Sequence, residues 1–335
     1  MSLHLLVVKP TALGDVAQAL PVAAGIKKAR PDWRLTWVVD EDYIPLVEAS
    51  PHVDRIVPFP RRRWRQEGAG LWEWIPWSRN LRRLRPDIVL DLQGLARSGW
   101  MTWVSGARRR VGLASAREGS FLAYHERVAD GAVHAVDRYW QAAEQVVGTA
   151  LERSGAVLER PTAALLPKGL RSGSYHVLHP YSLWETKLWP WRNYEALAAA
   201  HPEESFVLIG QGGPFPVDAE RVTDLRGRLP LPVLLAVLAH ARSVIGTDSG
   251  PAHVAAAFGV PVVCVFGATD PERTAPRGGD CRVVTLDGLP CRPCLQRECG
   301  RADYPMECLA GLSVERVARV WRAIPGVAVT GSGAG

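Results

Sequence analysis

The stretch Gly246-Thr-Asp-Ser-Gly-Pro-Ala-His253 follows the apolar run Ser243-Val244-Ile245 and leads into a segment of small residues. This order reads as a strand, a tight turn and a helix N-terminus. Asp248 or Ser249 is placed to cap the helix and Pro251 fits its first turn, so the unpaired N–H groups there form a site for a phosphate. The same order recurs near the start of the chain, where Leu3 to Val8 runs into Lys9-Pro-Thr-Ala-Leu-Gly-Asp15 and then a helical pattern. Two strand–turn–helix units, each holding an Asp beside a Gly, confine the chain to α/β architectures that bind ligands at the carboxyl ends of strands. Further apolar runs at Leu35 to Val39, Ile88 to Leu92, Val177 to His179, Phe206 to Ile209 and Val260 to Phe266 alternate with helical patterns. That alternation predicts parallel sheets with helices on both faces.

A chain of 335 residues exceeds one ordinary core and suits two α/β domains facing across a cleft. The stretch from 160 to 174 has the Pro, Gly and Ser content of an interdomain linker, and is expected to act as the hinge. The expected division is residues 1–165, residues 166–325 and a flexible Gly-rich tail, 326–335. The helix from Ser313 to Ile324 is expected to cross back to the first domain.

Hydrophobic residues at 47% and charged residues at 22% describe a globular protein, and no apolar run reaches the length of a membrane span. Leu3 to Val8 is too short for a signal peptide, so a cytoplasmic location is expected. The net charge of +6 is carried mainly by Arg, with only five lysines among 40 basic residues. Arg61-Arg62-Arg63-Trp64-Arg65 and Arg108-Arg109-Arg110 are the densest runs, each either a solvated face or an anion-binding surface. No DNA- or RNA-binding module accompanies the charge, so nucleic acid is not an expected partner, whereas peripheral contact with an anionic membrane surface fits it.

Cys291, Cys294, Cys299 and Cys308 form the pattern C-x2-C-x4-C-x8-C. Four Cys in so short a span are able to hold a structural zinc, yet the spacing matches no standard zinc motif and reduced thiols are the alternative. No catalytic metal is assigned.

Lys9-Pro-Thr-Ala-Leu-Gly-Asp15, Arg62-Arg63-Trp64-Arg65, Asp91-Leu-Gln-Gly-Leu95, Thr-Lys187-Leu-Trp-Pro190 and Thr-Asp248-Ser-Gly-Pro-Ala-His253, taken in order, resemble the family 9 glycosyltransferases, the ADP-heptose:lipopolysaccharide heptosyltransferases. The Arg-Arg-Trp-Arg run, Ala116-Arg117-Glu118 and His134-Ala-Val-Asp-Arg138 are most similar to the heptosyltransferase I branch. The resemblance implies the GT-B arrangement of two Rossmann-like domains. It also implies ADP-heptose as donor, the Kdo of the inner core (Kdo-lipid A) as acceptor, inversion at the anomeric carbon and no required cofactor.

Such a transfer needs a base for the attacking hydroxyl, whose own pKa lies far above neutral. Asp15 matches the family's base, although it is equally placed to cap its helix. The leaving diphosphate needs cations or oriented dipoles. Lys187 matches the family's diphosphate-contacting lysine, and Asp248, Ser249, Gly250 and His253 line the donor turn. Ser182 lies in the segment that approaches the diphosphate, while Asp218 or Glu220 stands where relatives hold the ribose. Arg62, Arg63, Arg65, Arg117 and Gln93 are the acceptor-side candidates. Trp64, Trp72, Trp74 and Trp77 suit either sugar or lipid contact or the packing of a loop stem. The alternatives are another family 9 sugar transfer, a nonhydrolysing sugar-nucleotide epimerase, and a lipopolysaccharide-binding module without activity. A nicotinamide dehydrogenase is disfavoured because Pro10 to Asp15 lacks G-x-G-x-x-G.

Overall fold

The computed structural model describes residues 3–66, 71–155, 157–211 and 222–327, without the side chains of Arg65, Gln66 and Leu71. The chain divides into two compact units, Met1–Glu159 and Arg160–Gly335.

The first unit carries strands β1 (His4–Val8), β2 (Arg34–Asp40), β3 (Arg55–Phe59), β4 (Ile88–Asp91), β5 (Arg109–Leu113) and β6 (Glu126–Val128). Its principal helices are α1 (Leu13–Ala29), α2 (Ile44–Glu48), α3 (Arg61–Gln66), α4 (Leu71–Arg83), α5 (Ala96–Val104) and α6 (Ala135–Val147). The strands are parallel in the order β3-β2-β1-β4-β5-β6. The second unit holds β7 (His176–His179), β8 (Phe206–Leu208), β9 (Val222–Asp224), β10 (Ser243–Thr247), β11 (Val262–Phe266) and β12 (Cys281–Thr285). With them are α7 (Trp191–Ala199), α8 (Leu231–Ala239), α9 (Gly250–Ala257), α10 (Pro271–Thr274), α11 (Glu307–Ala310) and α12 (Val314–Arg322). Its sheet runs β12-β11-β10-β7-β8-β9, again all parallel.

Numbered within its own unit, each sheet has the strand order 3-2-1-4-5-6 of a Rossmann fold, so each has a switch point where the order reverses. In the first sheet this lies between β1 and β4, and in the second between β7 and β10. Every residue of β1, β7, β10 and β11 is buried, because helices cover both faces of a parallel sheet; hence their near-continuous apolar runs. Gly246 serves the second switch point: a Cβ there would lie 2.9 Å from the His179 carbonyl.

In the first core, α1 buries eleven residues from Val16 to Ile26 and packs against α6, where the absence of a side chain at Gly25 admits the Trp140 ring. Phe59, Trp64, Trp74, Trp77 and Trp100 form one aromatic cluster, with Trp64 stacked on Trp74 at 4.4 Å and Trp77 on Trp100 at 5.6 Å. These tryptophans bind α3, α4 and α5 to the end of β3. Trp72 lies outside the cluster and is 86% exposed.

One expectation is corrected here. The last helix, α12, buries Val317, Ala318 and Trp321 in the core of the second unit, and the Trp321 indole donates to Ser243 Oγ at 2.9 Å; its apolar face is consumed by the sheet that precedes it. Within the Arg108-Arg109-Arg110 run, Arg109 lies in β5, pairs with Glu126 at 2.7 Å and donates to the carbonyls of Gln145 and Val146 at the end of α6, and Arg110 donates to the Ala123 carbonyl at 2.7 Å. The segment after residue 160 is tied to His240, whose Nε2 lies 2.7 Å from the Pro161 carbonyl and whose own carbonyl accepts from Gly173 at 2.8 Å. Of the Gly-rich tail, residues 328–335 lie outside the described residues.

Candidate functional site

At the switch point of the second sheet, the turn after β10 puts Asp248 beneath the start of α9. Its carboxylate is 5% exposed. Lys187 Nζ donates to its Oδ2 at 2.7 Å and Thr269 Oγ1 donates to the same oxygen at 2.9 Å, while His253 Nε2 lies 3.7 Å from Oδ1. Burial alone would raise this carboxyl, but the His253 hydrogen bond and the Lys187 charge outweigh it and hold the group at about 2. The acid is therefore ionised at neutral pH. Lys187 reaches it from a short turn after β7, its ammonium 4.9 Å from the Trp184 ring centroid, which is cation–π distance.

Neither residue expected to cap α9 does so. Ser249 occupies the cap position without a side-chain cap bond; its hydroxyl donates to the Thr247 carbonyl at 3.1 Å and lies 3.0 Å from His179 Nδ1. Asp248 is held by its cationic and hydroxyl partners instead. Without a side-chain cap, the first-turn N–H groups keep the anion preference of a helix N-terminus. His179, at the end of β7, is pushed down to about 4 by burial, so it is neutral and adds no charge to the turn.

The structure thus brings Lys187, Asp248, Ser249, Gly250 and His253 together at one strand edge. Ser182 is nearby in sequence to Lys187, and its hydroxyl accepts from the Trp184 N–H at 3.3 Å. Asp218 and Glu220 lie outside the described residues. Thr269 and His179 were not among the sequence candidates. Both sit just after, or at, the carboxyl end of a strand flanking β10, which is the signal that would have found them.

At the switch point of the first sheet, Asp15 is the third residue of α1 and is exposed. Its Oδ2 accepts from the Ala12 N–H at 3.3 Å, so it closes its own turn and still faces solvent. Gln93, from the loop after β4, accepts from the Thr11 N–H at 3.2 Å and thereby joins the β1 and β4 loops. Asp91 is fully buried. Burial pushes its carboxyl up, against bonds from Tyr124 Oη at 2.7 Å and the N–H groups of Gln93 and Gly94. Gly112 makes that Tyr124 contact available, since a Cβ there would overlap the phenol ring.

Lys9, to which the sequence pattern alone assigned no role, is 3% exposed with Nζ 5.0 Å from the Tyr139 ring centroid. Burial would lower this ammonium; Tyr139, Asp15 and Asp91 hold it above the ordinary lysine range. Its position directly after β1, as one of five lysines, was the available signal.

Arg62 and Arg117 are exposed, and Arg63 pairs with Glu73 at 3.2 Å. The Arg65 side chain lies outside the described residues. His134 caps α6 by accepting the Val136 N–H, and Arg138 donates to the carbonyls of Ala132 and Val133, so this motif is engaged within its own loop. Cys291, Cys294, Cys299 and Cys308 are all free thiols. Among the described residues no group of three or more His, Cys, Asp or Glu is placed to hold a metal ion.

The model of glycosyltransferase family 9 (heptosyltransferase) matches residues 75–304. The chain is 32% identical over 319 residues to lipopolysaccharide heptosyltransferase 1 of Pseudomonas aeruginosa, covering 89% of this chain and 87% of that protein. The chain belongs to glycosyltransferase family 9. It is accordingly a glycosyltransferase. The solved structure of the Escherichia coli heptosyltransferase WaaC with ADP matches it at a TM-score of 0.76 and 24% identity, over 95% of this chain and 98% of that one. The same enzyme with ADP-2-deoxy-2-fluoro heptose gives 0.74 at equal identity and coverage. The fold is therefore that of the GT-B heptosyltransferases. Among the described residues no helix is long and apolar enough to cross a membrane.

Proposed function

We propose that this chain transfers a heptose from ADP-heptose to the Kdo of the lipopolysaccharide inner core, by direct displacement with inversion and without a catalytic metal. In this reading the first unit takes the acceptor and the second takes the donor. The observation that carries it is the Lys187–Asp248 pair at the N-terminus of α9, in a chain 32% identical to a lipopolysaccharide heptosyltransferase 1. The first-turn N–H groups and Lys187 meet the charge that grows on the departing diphosphate, the task a metal performs in other transferases. The Asp248 carboxylate, ionised and buried, accepts hydrogen bonds from donor-sugar hydroxyls.

On the acceptor side, Asp15 takes the proton from the attacking hydroxyl. It is exposed and already held in orientation by the Ala12 N–H, which keeps its second oxygen open for the acceptor. Arg62, Arg63, Arg65 and Arg117 supply a cationic rim for an acceptor dense in carboxylate and phosphate, and Gln93 fixes the two loops beneath it. Trp72, Trp103 and Leu122, exposed by 86%, 62% and 81%, lie on the same unit as this rim. They give it apolar anchors for an anionic membrane face that carries a lipid-linked acceptor. Ser182 is assigned to the diphosphate, and Asp218 or Glu220 to the ribose.

The test is Asp15→Asn in a coupled assay of ADP release with Kdo-lipid A as acceptor. Loss of turnover with unchanged ADP affinity supports the assignment, whereas near-normal turnover removes Asp15 as base.

A further inference from the structure

The Cys-containing segment 291–308 has no part in the chemistry assigned above, yet its first residues are built against the donor turn. Arg292 donates from Nε to the Gly267 carbonyl at 2.8 Å and from Nη1 to the Leu286 carbonyl at 2.7 Å, which fixes the segment to the ends of β11 and β12. The Leu295 N–H then donates to the Ala268 carbonyl at 3.0 Å, and buried Thr186 donates from Oγ1 to the Gln296 carbonyl at 2.6 Å. Ala268 precedes Thr269 and Thr186 precedes Lys187. The two residues that hold Asp248 Oδ2 therefore each have a chain neighbour bonded to residues 295–296. Arg297 comes next, so its backbone is placed beside the donor turn by both anchors.

The charge balance of that turn calls for a further cation. The Lys187 ammonium is already matched by the Asp248 carboxylate at 2.7 Å, and the N-terminus of α9 supplies only about half a positive charge. In the transfer, the acceptor oxygen bonds to the anomeric carbon as the carbon's bond to the diphosphate breaks. The electron pair of the broken bond stays on the terminal phosphate, which gains a unit of negative charge.

Arg297 is exposed and makes no ion pair within 4.0 Å among the described residues. Its guanidinium carbon lies 5.5 Å from the centroid of the Trp184 ring, the same ring that Lys187 Nζ approaches at 4.9 Å. Like charges gathered on one indole repel each other, a cost that an anion bound beside them offsets. The ring also restrains a planar fork that matches two oxygens of a phosphate.

We propose that Arg297 is a second cation of the donor site, its guanidinium taking two oxygens of the terminal phosphate of a nucleoside diphosphate while Trp184 holds it in place. This rests on the assignment of the second unit to the donor, and it gives the segment 291–308 a part in donor binding through its arginine.

The test is calorimetric titration of the full-length protein with ADP and with AMP, which lacks the terminal phosphate, in wild type, Arg297→Gln and Arg297→Lys. Arg297→Gln weakens ADP at least tenfold, AMP stays within twofold of wild type, and Arg297→Lys recovers part of the loss. Both variants unfold at the wild-type temperature, because the side chain is exposed. A segment merely loosened by the substitution would weaken both nucleotides alike and gain nothing from lysine. ADP affinity within twofold of wild type in Arg297→Gln, an equal loss for AMP, or no recovery with lysine overturns the proposal. The two readings separate at the wild type. ADP bound equally by wild type and Arg297→Gln dismisses Arg297 alone, whereas folded wild type that binds neither nucleotide removes the donor assignment of the second unit and the proposal with it.

Discussion

Replacing Lys187 by Met removes the ammonium while keeping most of the stem, and leaves the 5%-exposed Asp248 carboxylate without its 2.7 Å cation. Holding that carboxyl at about 2 rather than 3.8 is worth roughly 2.5 kcal/mol at neutral pH, at about 1.4 kcal/mol per pH unit. Breaking a buried pair from one side costs about 3–5 kcal/mol, because the remaining charge keeps its desolvation penalty; with His253 and Thr269 still in place, the lower end, about 3 kcal/mol, is expected. For a unit of this size that is a fall in Tm of roughly 6–12 °C. Asp248→Asn added to Lys187→Met recovers much of the loss, since the double variant buries no charge. Calorimetry and urea denaturation of wild type, both single variants and the double variant at pH 7 should give a coupling of at least about 1.5 kcal/mol. Because the folded pKa is depressed, the stabilisation is complete above about pH 4 and disappears as pH falls through about 2. Additivity within about 0.5 kcal/mol would refute the argument that Lys187 neutralises Asp248.

Four further outcomes are expected. Asp15→Asn lowers kcat by about 10²–10⁴ with ADP affinity within twofold of wild type, measured by calorimetry. Prolonged treatment with a chelator leaves the transfer rate within twofold; a tenfold loss restored by a divalent cation contradicts metal independence. Burial holds His179 near 4, below its unfolded value of 6.5. Its contribution to the second unit is therefore present above pH 6.5 and lost as pH falls toward 4, and His179→Asn should flatten the denaturation midpoint across that window. Tyr124→Phe removes a hydroxyl donor to buried Asp91 and costs about 1.5–3 kcal/mol, read from the first unit's urea transition.

The two switch points were legible because each is local: a buried apolar strand, a Gly-containing turn and a helix start occupy fewer than twenty consecutive residues around Asp15 and Asp248. The outer strands were not. β3 and β12 lie at sheet edges and carry Arg55, Pro58 and Arg282 among their residues, so the apolar run that marks a central strand is absent. β5 was obscured for a different reason: its first residues are arginines, and only the fold shows that Arg109 is neutralised by Glu126. Lys187 and Asp248 were read as separate donor contacts. Their pairing across 61 positions, and the place of Thr269 beside them, depend on how β7, β10 and β11 lie side by side, which no local pattern encodes. Likewise Trp64 and Trp74 read as open to either ligand or packing until their stacking was seen.

The most direct test of the central claim is to incubate the purified chain with ADP-heptose and Kdo-lipid A and to follow both products by mass spectrometry. The account predicts one heptose added to the acceptor for each ADP released, with no product from Asp15→Asn. ADP-heptose that is left intact, or that is converted without any gain on the acceptor, would contradict it.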